Sequence, residues 1–470
     1  MTGSESRSDL ASFRDPAGRV FLKDGRVFRA VYRPALDDWT SVVESGVLQS
    51  LAAAGRVVAF DEVSRDVLGG EAGDPALVLE HPRLPFVSYP YEWPFKALKA
   101  AALHHLDIQI DALDGGVALS DASAYNVQFL GAKPIFIDLL SFRRYREGEF
   151  WLGHRQFCEQ FLNPLLLRAL VGVPHNAWYR GSLEGIVSAE LSRLLPLWRK
   201  LSWNVLTHVV LQASLHRSAM AHGEAVDARK IRKMSLSRQS YRGLLTRLRG
   251  WVSHLAPADK EGTVWRDYAK ANSYADGEAE RKRAFVAAYA AQVRPSLLWD
   301  IGCNTGDFSA VALAAGAGYA VGFDFDQGAV DLAFDRSARE NLRFQPLIFD
   351  AANPSPDQGW RQAERKGLRA RADADGLLAL ALVHHLAIGR NVPLGQTVDW
   401  LVDLAPTGVI EFVPKGDPMV RELLKLRDDI FPDYGIDAFV AALEARARIV
   451  RRESISSEGR TLFQFERRAA

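Results

Sequence analysis

From Leu297 onward, short apolar runs alternate with amphipathic stretches, and the apolar runs end on acidic or other polar residues. Leu297, Leu298 and Trp299 run into Asp300, and Phe308 to Ala315 reads as the helix that follows. Tyr319 to Phe323 stops at Asp324, Leu342 to Phe349 at Asp350-Ala351, and Gly376 to Val383 at His384-His385-Leu386. A helix over Thr397 to Leu404 precedes a strand over Gly408 to Phe412. Arg446 to Ser454, a turn at Ser456-Ser457-Glu458-Gly459, and Thr461 to Glu466 then read as a closing hairpin. Strands alternating with helices predict an α/β domain on a largely parallel sheet, finished by an antiparallel pair. Ligands of such sheets bind beyond the carboxyl ends of the strands, where these acids and histidines fall.

The segment Asp300-Ile301-Gly302-Cys303-Asn304-Thr305-Gly306 follows the first of these strands. Glycines at such a turn let the backbone approach a ligand without an intervening Cβ. The spacing differs from the Gly-x-Gly-x-x-Gly of dinucleotide enzymes, and it lacks the lysine of a phosphate loop. Asp324, about twenty residues on, can accept hydrogen bonds from both hydroxyls of a ribose. Asp-x-Gly-x-x-x-Gly resembles motif I of the class I S-adenosylmethionine-dependent methyltransferases, and the strand order matches their seven-stranded Rossmann-like sheet. The resemblance implies S-adenosylmethionine as cofactor. Asp300, Gly302 and Gly306 would shape the methionine and ribose pocket, Asp324 would hold the ribose, and Asp350-Ala351 would meet the adenine. His384 or His385 would be the general base for a hydroxyl acceptor, with Glu411 a weaker alternative. Asp326 is expected to complement a helix start, and Cys303 to be structural.

The N-terminal half carries a second pattern. Asp121-Ala122-Ser123-Ala124-Tyr125-Asn126 is followed by a strand (Val127 to Leu130), a turn at Gly131-Ala132-Lys133-Pro134, and a strand (Ile135 to Ile137) ending in Asp138. It resembles the catalytic and metal-binding loops of the protein-kinase and aminoglycoside-phosphotransferase superfamily. There the corresponding aspartate, asparagine and second aspartate orient the acceptor and hold magnesium. That implies an α+β kinase-like domain, with a hairpin over Arg19 to Arg33, one helix over Trp39 to Ala54 bearing Glu44 as an ion-pair acid, and a long helix over Phe95 to Leu113. The chain departs from the pattern in several places. No glycine-rich phosphate loop is visible, Arg29 and Arg33 stand where the nucleotide lysine belongs, Leu119-Ser120 replaces the histidine-containing pair, and Leu139-Leu140 follows Asp138. The domain is therefore expected to be degenerate and to serve acceptor recognition.

At 470 residues the chain exceeds what one core usually serves. The expected division is a kinase-like domain over 1–215, a basic helical connector over 216–260 and a methyltransferase domain over 261–470. Between Arg229 and Arg249 stand eight basic residues and no acid, interleaved with Tyr241, Leu244, Leu245 and Leu248. A solvated connector is the favoured reading, and a cationic surface for peripheral membrane contact its rival. Trp265, Tyr268 and Tyr274 precede a helix over Glu278 to Gln292, a segment suited to a lid. A net charge of +1 gives no overall pull toward nucleic acid. The two cysteines, Cys158 and Cys303, show no metal-type spacing, so neither a disulfide framework nor a zinc site is expected. The polar start and the absence of a spanning apolar run suggest a cytoplasmic protein.

Ser88-Tyr89-Pro90-Tyr91-Glu92-Trp93-Pro94-Phe95, the Asp121 to Asn126 loop, His154-Arg155-Gln156-Phe157 and the Asp300 to Gly306 turn together resemble bacterial methyltransferases related to nodulation host specificity, across nearly the whole chain. This implies a small-molecule or saccharide acceptor, including a lipid-linked saccharide. Two other classes stay open: a bifunctional small-molecule kinase and methyltransferase, and a non-catalytic assembly factor that binds S-adenosylmethionine.

Overall fold

The computed structural model describes residues 7–214, 235–258, 276–425 and 428–468. Two compact units emerge. One comprises Met1–Phe129, Lys133–Lys260 and Gly359–Arg365, the other Leu130–Ala132, Glu261–Gln358 and Lys366–Ala470.

The N-terminal unit opens with an antiparallel five-stranded sheet. Its strands are β1 (Arg7–Ser8), β2 (Gly18–Lys23), β3 (Arg26–Val31), β4 (Asp61–Val63) and β5 (Leu77–His81), in the order β1-β2-β3-β5-β4. Phe21, Phe28, Ala30 and Val78 form its buried face, as the alternation of a half-buried sheet requires. The expected single helix is broken into Leu36–Glu44 and Val47–Ala53, and Glu44 is exposed. A 20-residue helix, Phe95–Asp114, follows and buries one broad face. Beyond it lie two short antiparallel pairs: β6 (Val117–Leu119) with β9 (Phe142–Arg144), and β7 (Val127–Leu130) with β8 (Lys133–Phe136).

The basic run is not a solvated connector where the structure describes it. Arg238–His254 is an amphipathic helix whose Tyr241, Leu245, Leu248 and Val252 are buried against the Phe95–Asp114 helix. Arg249 pairs with Asp107 at 2.5 Å and Arg242 with Asp114 at 2.9 Å. Leucines spaced for one helical face drove that docking, and the acids opposite match part of the positive charge. Arg229, Lys230, Arg232, Lys233, Trp265, Tyr268 and Tyr274 lie outside the described residues. Among the described residues, no helix is long and apolar enough to cross a membrane.

The C-terminal unit is built on seven strands: β10 (Leu298–Ile301), β11 (Ala320–Asp324), β12 (Phe344–Ile348), β13 (Gly376–Ala379), β14 (Thr407–Phe412), β15 (Ala447–Ser454) and β16 (Thr461–Arg467). Their order is β12-β11-β10-β13-β14-β16-β15. β10 to β14 run parallel, and β16 is antiparallel to both neighbours. This is the Rossmann-like sheet that the methyltransferase resemblance implies. The connections reverse direction between β10 and β13, which opens a crevice at the carboxyl ends of those two strands.

Candidate functional site

A cavity lies at that crevice, walled by Ile301 at the end of β10 and Gly302 to Thr305 from the turn after it, Phe323 to Phe325 from the end of β11, Phe349 and Ala351 after β12, and Leu380 to Leu382, His384 and His385 after β13. Gly302 adopts φ +83°, and a Cβ there would meet Leu382 and the Leu380 carbonyl oxygen only at ordinary contact distance, so its backbone faces the cavity unobstructed. Gly306, at φ +78°, has a different reason to be glycine. A Cβ would come within 2.4 Å of the Phe344 ring, so this residue serves packing beneath the turn and does not line the cavity.

Asp324 is the best-defined polar group of the site. Its Oδ2 accepts the Asn304 N–H at 2.9 Å and its Oδ1 the Asp326 N–H at 2.9 Å, which fixes the carboxylate at the cavity wall. Each oxygen keeps a further lone pair for a ligand hydroxyl. Burial pushes its pKa up to about 6, against the opposing pull of those backbone donors. Asp326 caps the Gln327–Arg339 helix by accepting from Gly328 N at 2.8 Å and Ala329 N at 2.9 Å, the helix-start role read from sequence.

The structure moves other expected residues away from the cavity. Asp300 is buried under the turn, where it accepts the Ser309 hydroxyl at 2.7 Å, and burial pushes it up to about 7. It braces strand to helix and does not wall the cavity. Asp350 accepts Ala352 N at 2.9 Å and faces Arg390 at 3.5 Å, so Ala351 and the Phe349 ring, rather than the Asp350 carboxylate, reach the wall.

His384 and His385 both line the cavity, but they do not directly end a strand. β13 stops at Ala379, Ala381 turns the chain with φ +50°, and His385–Gly389 forms a π-helical turn. The two rings therefore lie side by side, with centroids 4.1 Å apart and planes tilted by 38°. His384 is 1% exposed and neither ring nitrogen has a hydrogen-bond partner. Burial holds it well below the ordinary histidine range and lowers His385 to about 4, so both are neutral at pH 7.

Sequence reading missed a buried ion network beside these rings. Lys282 Nζ meets Glu411 Oε2 at 2.5 Å, Arg460 Nη1 meets Glu411 Oε1 at 3.3 Å, and Arg460 binds Asp417 through two bonds of 2.6 and 3.0 Å. Glu411 also accepts the Ala381 N–H at 2.8 Å, which pins the turn carrying the histidines. Burial would raise the Glu411 carboxyl, but Lys282 and Arg460 hold it below its ordinary value. A carboxylate so engaged is a poor base. No spacing rule marked Lys282 or Arg460, because they stand 129 and 49 residues from Glu411.

In the N-terminal unit, Asn126 Nδ2 lies 3.2 and 3.3 Å from the two Asp121 oxygens and 3.4 Å from Asp138 Oδ2, so the three residues singled out from sequence meet. Arg29 from β3 pairs with Asp138. Arg33 is exposed and lies 3.8 Å from Asp74. Burial, then the Asp138 charge, pushes Asp121 up to about 7.

The chain is 46% identical to the nodulation protein NoeA of Rhizobium meliloti (strain 1021) over 456 residues, covering 97% of this chain and 95% of that one. It belongs to the NoeA family. No family model matches this NoeA-family chain. Solved structures similar to it include the N-methyltransferase NodS of Bradyrhizobium japonicum WM9 in complex with S-adenosyl-L-homocysteine (17% identical, 41% of this chain and 89% of that one, TM-score 0.30). Another is the magnesium protoporphyrin IX methyltransferase ChlM of Synechocystis PCC 6803 with bound S-adenosyl-L-homocysteine (16%, 45% and 90%, TM-score 0.30).

Proposed function

We propose that this chain is an S-adenosylmethionine-dependent methyltransferase whose cofactor occupies the cavity between β10 and β13. The carrying observation is Asp324: a carboxylate at the end of β11, fixed by two backbone N–H groups, one of them from the Gly302 turn, with lone pairs left over at the cavity wall. The residues present fit the cofactor. Gly302 leaves the backbone open, Phe349 and Ala351 offer an apolar seat for a base, and His384 presents a buried imidazole without a partner. The cofactor, when bound, supplies an electrophilic methyl on sulfur, so the protein's task is alignment. With the cofactor in place, His384 would accept the hydrogen bond of the acceptor's X–H, orient the acceptor's lone pair and take up its proton. The acceptor is proposed to be a hydroxyl, with saccharides and lipid-linked saccharides as the first compounds to try.

The N-terminal unit is proposed as a degenerate kinase-like domain that recognises the acceptor. The meeting of Asp121, Asn126 and Asp138 supports the relation, and Arg29 on Asp138 supports degeneracy, since an internal cation takes one of the positions a metal-bound phosphate would need. Isotope-labelled S-adenosylmethionine incubated with the chain and a saccharide panel tests the whole proposal. Label transferred to an acceptor by wild type but not by Asp324→Ala supports it; tight binding of a nicotinamide dinucleotide in place of S-adenosylmethionine would refute it. Protection from heat by ATP and magnesium, lost in Asp138→Ala, would replace acceptor recognition with phosphotransfer.

A further inference from the structure

His154, Cys158 and His208 bring three metal-ligating atoms within 4.8 Å of one another inside the N-terminal unit. His154 Nε2 faces both partners: it is 2.9 Å from His208 Nδ1 and 3.6 Å from Cys158 Sγ. We propose that these side chains form a binding site for a zinc-class transition metal ion, with His154 Nε2, His208 Nδ1 and Cys158 Sγ as ligands and water in the fourth position.

Two of the three ligand edges lie close to what the ion needs, and the third, His208 to Cys158, is within 4.8 Å and closes as the ion binds. Zinc bonds of about 2.0–2.1 Å to nitrogen and about 2.3 Å to sulfur set tetrahedral edges of about 3.6 Å for N···S and about 3.3 Å for N···N. The 3.6 Å separation already matches the first, and the 2.9 Å nitrogen pair needs to open by only about 0.4 Å to match the second. The ligands also sit on distorted helix. His154 and Cys158 lie four residues apart, so they share a face, and Cys158 begins a π-helical turn over Cys158–Leu162. His208 lies in a second π-helical turn, Leu206–Val210. Such turns recur at functional sites because the widened coil re-aims a side chain.

The surroundings complete the case. Gln212 Nε2 lies 3.0 Å from His154 Nδ1; turned over, its amide accepts the Nδ1–H and leaves the Nε2 lone pair for the metal, the arrangement by which outer residues fix a ligand's tautomer. Trp251 stacks on His208 and Trp151 packs on His154, so both rings are held in place. Cys158 and His208 are buried, which limits solvent access to these two donors. The two imidazoles bind through neutral ring nitrogens and Cys158 binds as the thiolate. Binding therefore exchanges the thiol proton for the metal and releases it to solvent. Neither cysteine is in a disulfide. The set escaped the sequence rules because His208 is 54 residues from His154 and the pattern holds a single cysteine.

The test uses the untagged full chain, stripped with a chelator and titrated with Co(II), then Zn(II). The site should take one ion per chain, give the visible bands of tetrahedral cobalt with a thiolate-to-cobalt charge-transfer band, and release about one proton per ion. Cys158→Ser should abolish the charge-transfer band and Cys303→Ser should keep it; Gln212→Ala, a positioning change, should weaken Zn(II) binding by about 10- to 100-fold. Persistence of the band in Cys158→Ser, or its loss only in Cys303→Ser, would overturn the site. X-ray absorption of the wild-type zinc complex decides even where Cys158→Ser fails to fold: one sulfur and two imidazoles are expected, and a shell of light atoms alone would refute it.

Discussion

Asp324 and Asp138 both follow a strand, both sit among other polar groups, and the protein treats them differently. Asp324 is fixed by two main-chain N–H groups, which are neutral donors and leave the carboxylate's charge available to a ligand. Asp138 faces the guanidinium of Arg29, so its charge is met from within the chain. The C-terminal cavity thus keeps a carboxylate with neutral partners at its wall, whereas the charge of Asp138 is met by Arg29.

The contrast can be broken at four places. The largest effect should come from Arg460→Ala, which leaves Glu411 and Asp417 buried with less compensation; about 3–5 kcal/mol of stability should be lost in urea unfolding. His384→Ala comes next: turnover should fall about 100-fold while S-adenosylmethionine affinity stays, because the ring serves the acceptor's proton. Equal losses in affinity and turnover would place His384 in cofactor binding instead. Asp324→Ala should weaken S-adenosylmethionine binding by about 1–3 kcal/mol in calorimetry. The smallest change should follow Arg29→Met, at about 1 kcal/mol of stability, with S-adenosylmethionine affinity unmoved.

Asp324 also gives the site a pH dependence with a definite sign. Its pKa is raised to about 6, so the carboxylate is charged above that value and protonated below it. A protonated acid loses acceptor capacity toward two hydroxyls, so cofactor affinity should be flat from about pH 7 to 8 and decline below about pH 6.

Much of the C-terminal fold was legible because its strands are apolar runs punctuated by acids, and that pattern fixes the order of elements. Asp326 was read correctly as a helix cap, since an acid directly before a helix has few other roles. The histidines were placed in the wrong local structure because nothing in Leu380-Ala381-Leu382-Val383 signals that Ala381 turns with positive φ. Lys282, with arginine on either side, looks like one more solvated cation; only the fold brings it to Glu411. The same holds for Arg238–His254, whose leucines are visible in the sequence but whose partner helix is not.

The central claim rests on a ribose-bearing cofactor held by an ionised Asp324. Calorimetry of S-adenosylmethionine binding to wild type and Asp324→Asn, at about pH 7.5 and about pH 5, tests it most directly. The wild type should bind markedly more weakly at the lower pH, while Asp324→Asn, weak throughout, should show little change between the two. Equal affinity in both proteins, or an identical pH response in both, would contradict the account.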